Sequence, residues 1–306
     1  MRELSAESLS ENAALGWELP GDSLLYGRQA AQRTPLEAYL AETPPPPTRQ
    51  APASSATFSA MHPVDDTTQT PFRWVCRVSA QGQGRSIGSG VLISPWHVLT
   101  AAHVISPLQD PTGTRTIEVG PGYSPSSTTT LASNGWAISP RFRVTDCRTF
   151  GSDLALIRLK TPASARTGYW NLAPFASGSL QGKDCVMAGY PRRRRDPQAT
   201  QMFQSNGRIL GSALISSCTN ETPDQPGTAD GSSGPLLDTS LLILHTADSE
   251  NAQSGGPVFV LENGVPKLVA IHTGFVSGGC FKQAVLLSPS VQAQIQDWMR
   301  RSLRRL

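Results

Sequence analysis

Short apolar runs, many alternating with polar residues and closed by glycine, proline or serine, fill the chain from Phe72 to about residue 275. Runs of this kind predict strands. The first six are Phe72–Val78, Ile87–Ile93, His97–Thr100, Thr116–Val119, Trp136–Ser139 and Leu154–Leu159, with Ser94-Pro95-Trp96 turning the second into the third. A Pro/Gly-rich stretch over Pro162–Gly178 separates them from six more: Cys185–Ala188, Met202–Ser205, Ala213–Ser217, Leu241–His245, Val258–Leu261 and Leu268–His272. Strands this regularly spaced, with turn signals between, predict an all-β barrel or sandwich, and the two sets of six could each close a six-stranded antiparallel β-barrel, one over about residues 61–165 and one over about 166–288. Only at the end does a helical stripe take over. Val291, Ile295, Trp298 and Leu303 predict an amphipathic C-terminal helix over about 290–306, capped by Ser290 and lying on the second barrel. Arginines near its C-terminus suit the helix dipole.

Residues 1–60 differ in kind. Pro35–Glu42 suits a short helix, Pro44–Pro47 a stiff extended segment, and the small-residue run through Ser59 a flexible one. This largely irregular extension reads as a leader, pro-segment or regulatory tail, or as a plain disordered tail. Charged residues are 16% of the 306, with 27 glycines and 25 prolines, which fits strands and turns rather than a helical bundle. A net charge of +3 is too weak to imply nucleic acid, and Arg192–Arg195 reads as a solvated loop. No apolar run is long enough to span a membrane, and the first thirty residues lack a secretory signal pattern. The expected location is therefore the cytoplasm, or export by another route. Five cysteines (Cys76, Cys147, Cys185, Cys218, Cys280) leave at least one thiol free or paired between chains. None has metal-ligand spacing, so no metal or other cofactor is expected. A monomer is expected.

Three segments carry chemistry together. In the first, Gly88-Ser-Gly-Val-Leu-Ile93 leads through a hairpin into Thr100-Ala-Ala-His103, where small alanines let the chain bend at the histidine. His97 on the same hairpin opens a strand, without that bend, and reads as structural. In the second, Asp153 opens the alternating strand Leu154-Ala-Leu-Ile-Arg-Leu159, whereas Asp146 has no matching strand after it. In the third, Asn251-Ala-Gln-Ser-Gly-Gly-Pro-Val-Phe259 sets Ser254 before two glycines and an apolar strand, which pairs with the next across the turn Glu262-Asn-Gly264. Gly231-Ser-Ser-Gly-Pro235 offers Ser233 as a rival nucleophile, but it lacks a clear strand before it. These segments resemble the histidine, aspartate and nucleophile motifs of chymotrypsin-like serine peptidases, in that family's order. The resemblance implies a triad of His103, Asp153 and Ser254. A serine hydroxyl needs an imidazole to take its proton, and the aspartate holds the imidazole in the right tautomer.

The likeness extends over about residues 61–288 and is sharpest to the glutamyl-endopeptidase (V8-like) branch. Met61-His-Pro-Val-Asp-Asp66 through Phe72 is similar to the opening of the mature enzymes, Gly189-Tyr-Pro191 to a later turn, Gln204-Ser-Asn-Gly207 to the strand and glycine that follow it, and His245–Ser249 and Ala270–Gly274 to pocket segments. It implies that His272 and Ser249 line the primary pocket and meet an acidic substrate side chain. Asp248 leaves a basic preference open, as in trypsin, and small, apolar or narrow specificity stays open too. Thr273 and Gly274 would pair with the substrate backbone by strand addition, and the N–H groups of Ala252 and Ser254 would form the oxyanion hole. Ala252 departs from the usual glycine. If the site needs positive φ, alanine costs about 1 kcal/mol or more there. Gln253 replaces the acid that trypsin uses in activation. The family's cysteine pair around the histidine is absent near Val91 and Val104. The implied function is a serine endopeptidase acting on protein or peptide substrates, and the composition break near Ala60 adds the expectation that residues 1–60 hold it latent until cut or displaced. The alternative is an impaired relative that binds peptides through the same groove.

Overall fold

The computed structural model of the chain describes residues 60–81, 85–106, 116–143, 147–172, 179–213, 242–275 and 282–303. A short strand β1 (His62–Pro63) precedes β2 (Val75–Gln81), β3 (Arg85–Ser94), β4 (His97–Thr100), β5 (Thr116–Pro121), β6 (Leu131–Ile138) and β7 (Ala155–Leu159). The last six close an antiparallel barrel in the order β2-β3-β4-β7-β6-β5. A second set, β8 (Asp184–Gly189), β9 (Phe203–Ala213), β10 (Leu242–His245), β11 (Pro257–Glu262), β12 (Val265–Phe275) and β13 (Lys282–Leu286), closes likewise through β8–β9 pairing. Outside this ring, β1 pairs with β9, His62 opposite Gln204. Closure leaves neither barrel an open edge.

Period-two alternation explains why both faces of many strands are apolar. On β7, Ala155, Ile157 and Leu159 fill the first barrel with Val78, Leu92, Val98 and Val119, while Leu156 turns outward. On β11, Val258 and Val260 fill the second barrel with Met187, Ile209 and Ile243, while Phe259 turns outward. The outward set forms a third cluster with Leu99, Tyr190, Ile271 and Trp170, which joins the barrels. Trp170 packs on Trp74 and Phe259 at ring separations of 5.2 and 5.3 Å.

Several boundaries differ from expectation. Phe72–Trp74 is a 3-10 turn, because the Trp74 indole is held by the Thr167 carbonyl (2.7 Å) instead of entering the sheet. Met202–Ser205 and Ala213–Ser217 do not begin two strands: one strand runs through Phe203–Ala213, and residues 214–241 lie outside the described ones. Within that strand Gly207 allows a close approach, where a Cβ would lie 2.1 Å from the Ala247 nitrogen. The sixth strand of the second barrel is instead β13, which is too short and mixed to stand out. The turn at Asn263-Gly264 has positive φ at both positions (53° and 77°), as a two-residue hairpin of this sequence requires.

Two helices complete the described chain: α1 (Ala102–Ile105) and α2 (Pro289–Leu303). Ser288 rather than Ser290 caps α2. Its Oγ accepts the Val291 N–H at 3.4 Å, and Pro289 takes the first helical position, where a missing N–H costs nothing. Val291, Ile295 and Trp298 are buried as the stripe predicts. The helix does not rest on the second barrel alone: near its end Ser302 Oγ meets His97 Nε2 on β4 at 2.7 Å.

Candidate active site

The short α1 follows β4 through Ala101 and Ala102, both fully buried, where any larger side chain would collide with the first-barrel core. His103 is its second residue and is half-buried. A Cβ on Gly88 would lie 2.5 Å from Val104, so glycine there lets α1 close on β3. Asp153, buried, emerges from the 3-10 segment Cys147–Ser152 just before β7. One carboxylate oxygen accepts the His103 backbone N–H at 3.0 Å; the other takes the ring at Nδ1, 2.6 Å away. An ionised carboxylate only accepts, so Nδ1 carries the proton and Nε2 presents its lone pair.

The loop Glu250–Gly256 is built to hold Ser254. Gln253, fully buried, accepts the Glu250 N–H on its Oε1 (2.8 Å), and its own N–H returns to the Glu250 carbonyl (3.2 Å). Gly255 has φ 87°, and a Cβ there would fall 2.1 Å from the Ser89 carbonyl oxygen. Ala252 adopts φ 75°, the strained conformation expected for this position. Among the described residues, no protein acceptor takes the N–H of Ala252 or of Ser254. Ser254 is half-buried at the junction of the barrels.

Ser89, on β3, ties this loop to the first barrel, and the sequence reading missed it. Its N–H donates to the Ser254 carbonyl (2.8 Å). Its hydroxyl donates to the Ala252 carbonyl (3.1 Å) and accepts the Tyr190 N–H (2.8 Å). Its carbonyl accepts the Thr100 hydroxyl (2.7 Å), three residues before His103. The only signal was its place between two glycines.

The residues expected to line the pocket form a second group. The Ser205 hydroxyl holds the Asp248 carbonyl (2.6 Å), and the Asp248 carboxylate accepts the Ser249 N–H (2.8 Å) and faces Lys282 Nζ at 3.6 Å. His272 on β12 is buried, its Nδ1 3.3 Å from Nε2 of His245 on β10. Burial, then the charge of Lys282, pushes His245 down to about 3. Burial, then His245, Lys282 and His103, holds His272 well below the usual imidazole range. Both rings are therefore neutral at neutral pH. The β12–β13 register shifts between His272 and Gly274, with Thr273 buried and Gly274 half-buried. Backbone N–H of Gly255 and His272 tie this strand to the Glu250–Gly256 loop, through the His272 carbonyl (2.7 Å) and the Gly256 carbonyl (2.9 Å).

The rival residues fall elsewhere. His97 is buried between the Ser94 and Ser302 hydroxyls (2.8 and 2.7 Å), and burial, then Arg158, pushes it down to about 4; it is a structural tie. Asp146, Ser233, Cys218 and Cys280 lie outside the described residues. Cys76 and Cys185 are buried free thiols whose ionisation burial suppresses. Among the described residues no cluster of three or more His, Cys, Asp or Glu is placed to hold a metal ion, and no helix is long and apolar enough to cross a membrane.

The family model for trypsin matches residues 63–299. No curated protein matches the sequence. Among solved structures, a Glu endopeptidase in complex with MPD aligns over 78% of this chain and 95% of its own, with TM-score 0.58 and 16% identity. A scabies mite inactivated protease paralogue, S-I1, aligns over 77% and 97%, with TM-score 0.52 and 19% identity.

Proposed function

Because the chain belongs to the trypsin family, and its fold is that of a serine peptidase, we propose that residues 61–306 form an active serine endopeptidase with His103, Asp153 and Ser254 as its catalytic triad. The observation that carries this reading is the two-point hold of Asp153 on His103, at 2.6 and 3.0 Å. It fixes both ring direction and tautomer, which a merely buried histidine does not need. In the proposed reaction Ser254 Oγ attacks the carbonyl carbon of the scissile bond as its proton passes to His103 Nε2. The oxyanion that forms takes hydrogen bonds from the N–H groups of Ala252 and Ser254. The C–N bond then breaks as His103 returns the proton to the leaving amine. Water, deprotonated by His103, attacks the resulting ester, and Ser254 leaves with its proton restored. Asp153 stays ionised throughout.

The neighbours' names point two ways: one is a Glu endopeptidase and one an inactivated protease, so the shared fold alone does not decide activity. A peptide-binding relative with an impaired site is the second reading, favoured by the non-glycine Ala252 at φ 75°. For specificity we read an acidic preference, with His272 and Ser249 donating to a Glu or Asp side chain and Thr273–Gly274 pairing with the substrate backbone. Residues 1–60 are read as an extension that holds the enzyme latent.

A fluorophosphonate probe and a mixed peptide library, applied to the full chain and to a form beginning at Met61, test these readings together. Labelling is expected in both, faster in the shorter form, lost in Ser254→Ala and kept in Ser233→Ala. No labelling or cleavage by folded protein would favour the peptide-binding reading. Equal rates in the two forms would remove latency.

A further inference from the structure

An acidic side chain entering a pocket needs more than neutral donors to be preferred over its amide. The two pocket histidines do not supply that charge: both are buried, they share one hydrogen bond at 3.3 Å, and both are neutral at neutral pH. A cation does lie beside them. Lys282, the first residue of β13, is paired in register with His245 on β10 and with Phe275 on β12. It therefore sits between the strand that leads into the Thr246–Glu250 segment and the strand that carries His272. Its side chain is only 14% exposed, and Nζ lies 3.6 Å from Asp248 Oδ1. Its charge reaches both rings, where it disfavours a second positive charge.

Asp248 looks different beside this lysine. A trypsin-like pocket acid must offer its carboxylate to a substrate guanidinium or ammonium. Here Oδ1 already accepts the Ser249 N–H and faces an ammonium supplied by the chain itself. An incoming Arg or Lys would meet like charge.

We propose that Lys282 is the charge-bearing specificity residue of the primary pocket, its ammonium facing the acidic side chain that precedes the cleaved bond, with Asp248 as its counter-ion. This rests on the reading of the chain as an endopeptidase with acidic preference. Buried His272, backed by His245, supplies a neutral N–H donor, and Ser249 a hydroxyl. The charge-assisted contact from Lys282 separates Glu from Gln, which are alike in size.

The test uses three peptides that differ only in Glu, Gln or Arg before the cut bond, and the full chain with Lys282→Met, Lys282→Arg and Asp248→Asn. In Lys282→Met the Glu-to-Gln ratio of kcat/KM should fall about 10- to 100-fold, the range for losing a hydrogen bond to a charged group. Lys282→Arg should keep most of it, and Asp248→Asn, which removes the counter-ion, should raise it. The wild-type ratio should also persist from about pH 6 to pH 8.5, because His245 and His272, the imidazoles facing the lysine, stay neutral across it. A wild type that labels at Ser254 but prefers Arg overturns both the acidic reading and the Lys282 assignment. A wild type that prefers Glu, with the ratio unchanged in Lys282→Met or lost as pH rises through the imidazole range, overturns Lys282 alone. Should Lys282→Met fail to fold, an unchanged or lowered ratio in Asp248→Asn, or the lost pH-independence, overturns it equally.

Discussion

Replacing Ser89 with alanine isolates the joint between the two halves of the proposed site. The hydroxyl is wholly buried, so no water replaces it. The Tyr190 N–H loses the acceptor it now uses, which costs about 1–3 kcal/mol, and the Ala252 carbonyl loses a donor worth about 1 kcal/mol. Removing the hydroxyl relieves part of this, leaving a net loss of about 2 kcal/mol, or about 4–8 °C in Tm for a domain of this size. The backbone bond from Ser89 N–H to the Ser254 carbonyl survives the change. Ser254 should keep its place against β3 while the Ala252 peptide loosens. Complete loss of one oxyanion donor costs about 10²–10³ in kcat; partial misalignment should cost about tenfold, with KM little changed. Urea unfolding gives the first number, fluorophosphonate labelling and peptide hydrolysis the second. A labelling rate within about twofold of wild type, alongside the expected stability loss, would show that the loop keeps its shape without Ser89 and would refute the coupling.

Other outcomes follow from the same geometry. Asp153→Asn should lower kcat by about 10⁴ with KM nearly unchanged, because an amide that donates to Nδ1 selects the wrong tautomer; single-turnover kinetics would show it. Ala252→Gly should raise stability by about 1 kcal/mol by relieving φ 75°, and a melting temperature no higher than wild type would count against strain there. Acid should destabilise the fold from about pH 6.5 downward: His97 and His245 ionise only at about 4 and about 3 when folded, but near 6.5 when unfolded, so the unfolded chain binds more protons in that window. Each contributes a slope of about 1 kcal/mol per pH unit until its folded value is reached, and His97→Gln should remove one such increment between about pH 6.5 and 4. Equal slopes for the two proteins in urea titrations would contradict a neutral buried His97.

The two barrels were legible because most strands bury both faces or alternate cleanly, and β11 and β12 meet at a turn whose residues tolerate positive φ. The errors have local causes. Phe72 and Trp74 looked like strand residues because apolar character does not distinguish an aromatic anchor from a sheet position. The strand over Met202–Ser205 was ended too early, because the glycine that follows it at 207 serves a close backbone crossing inside the strand. Ser290 looked like a cap because it precedes the apolar stripe, yet Ser288 has the proline after it.

The site was legible in proportion to how local its chemistry is. His103 and Asp153 each lie where a tight segment meets a strand, and such junctions leave a mark on neighbouring residues, in the alanines before one and the alternating strand after the other. Selectivity leaves no such mark. Asp248 alone leaves a basic substrate open and His272 alone suggests an acidic one; in the proposed assignment cross-strand pairing chooses between them. Lys282 lies 34 residues beyond Asp248 and ten beyond His272, yet β10–β13–β12 pairing sets it beside both. A lone lysine after a glycine-rich stretch carries no signal in a linear reading. In the proposed assignment, β13 closing the barrel lets the same lysine change the sign of the charge that a substrate side chain meets. On this proposal substrate choice follows from strand register, whereas the proposed reacting groups follow from motifs.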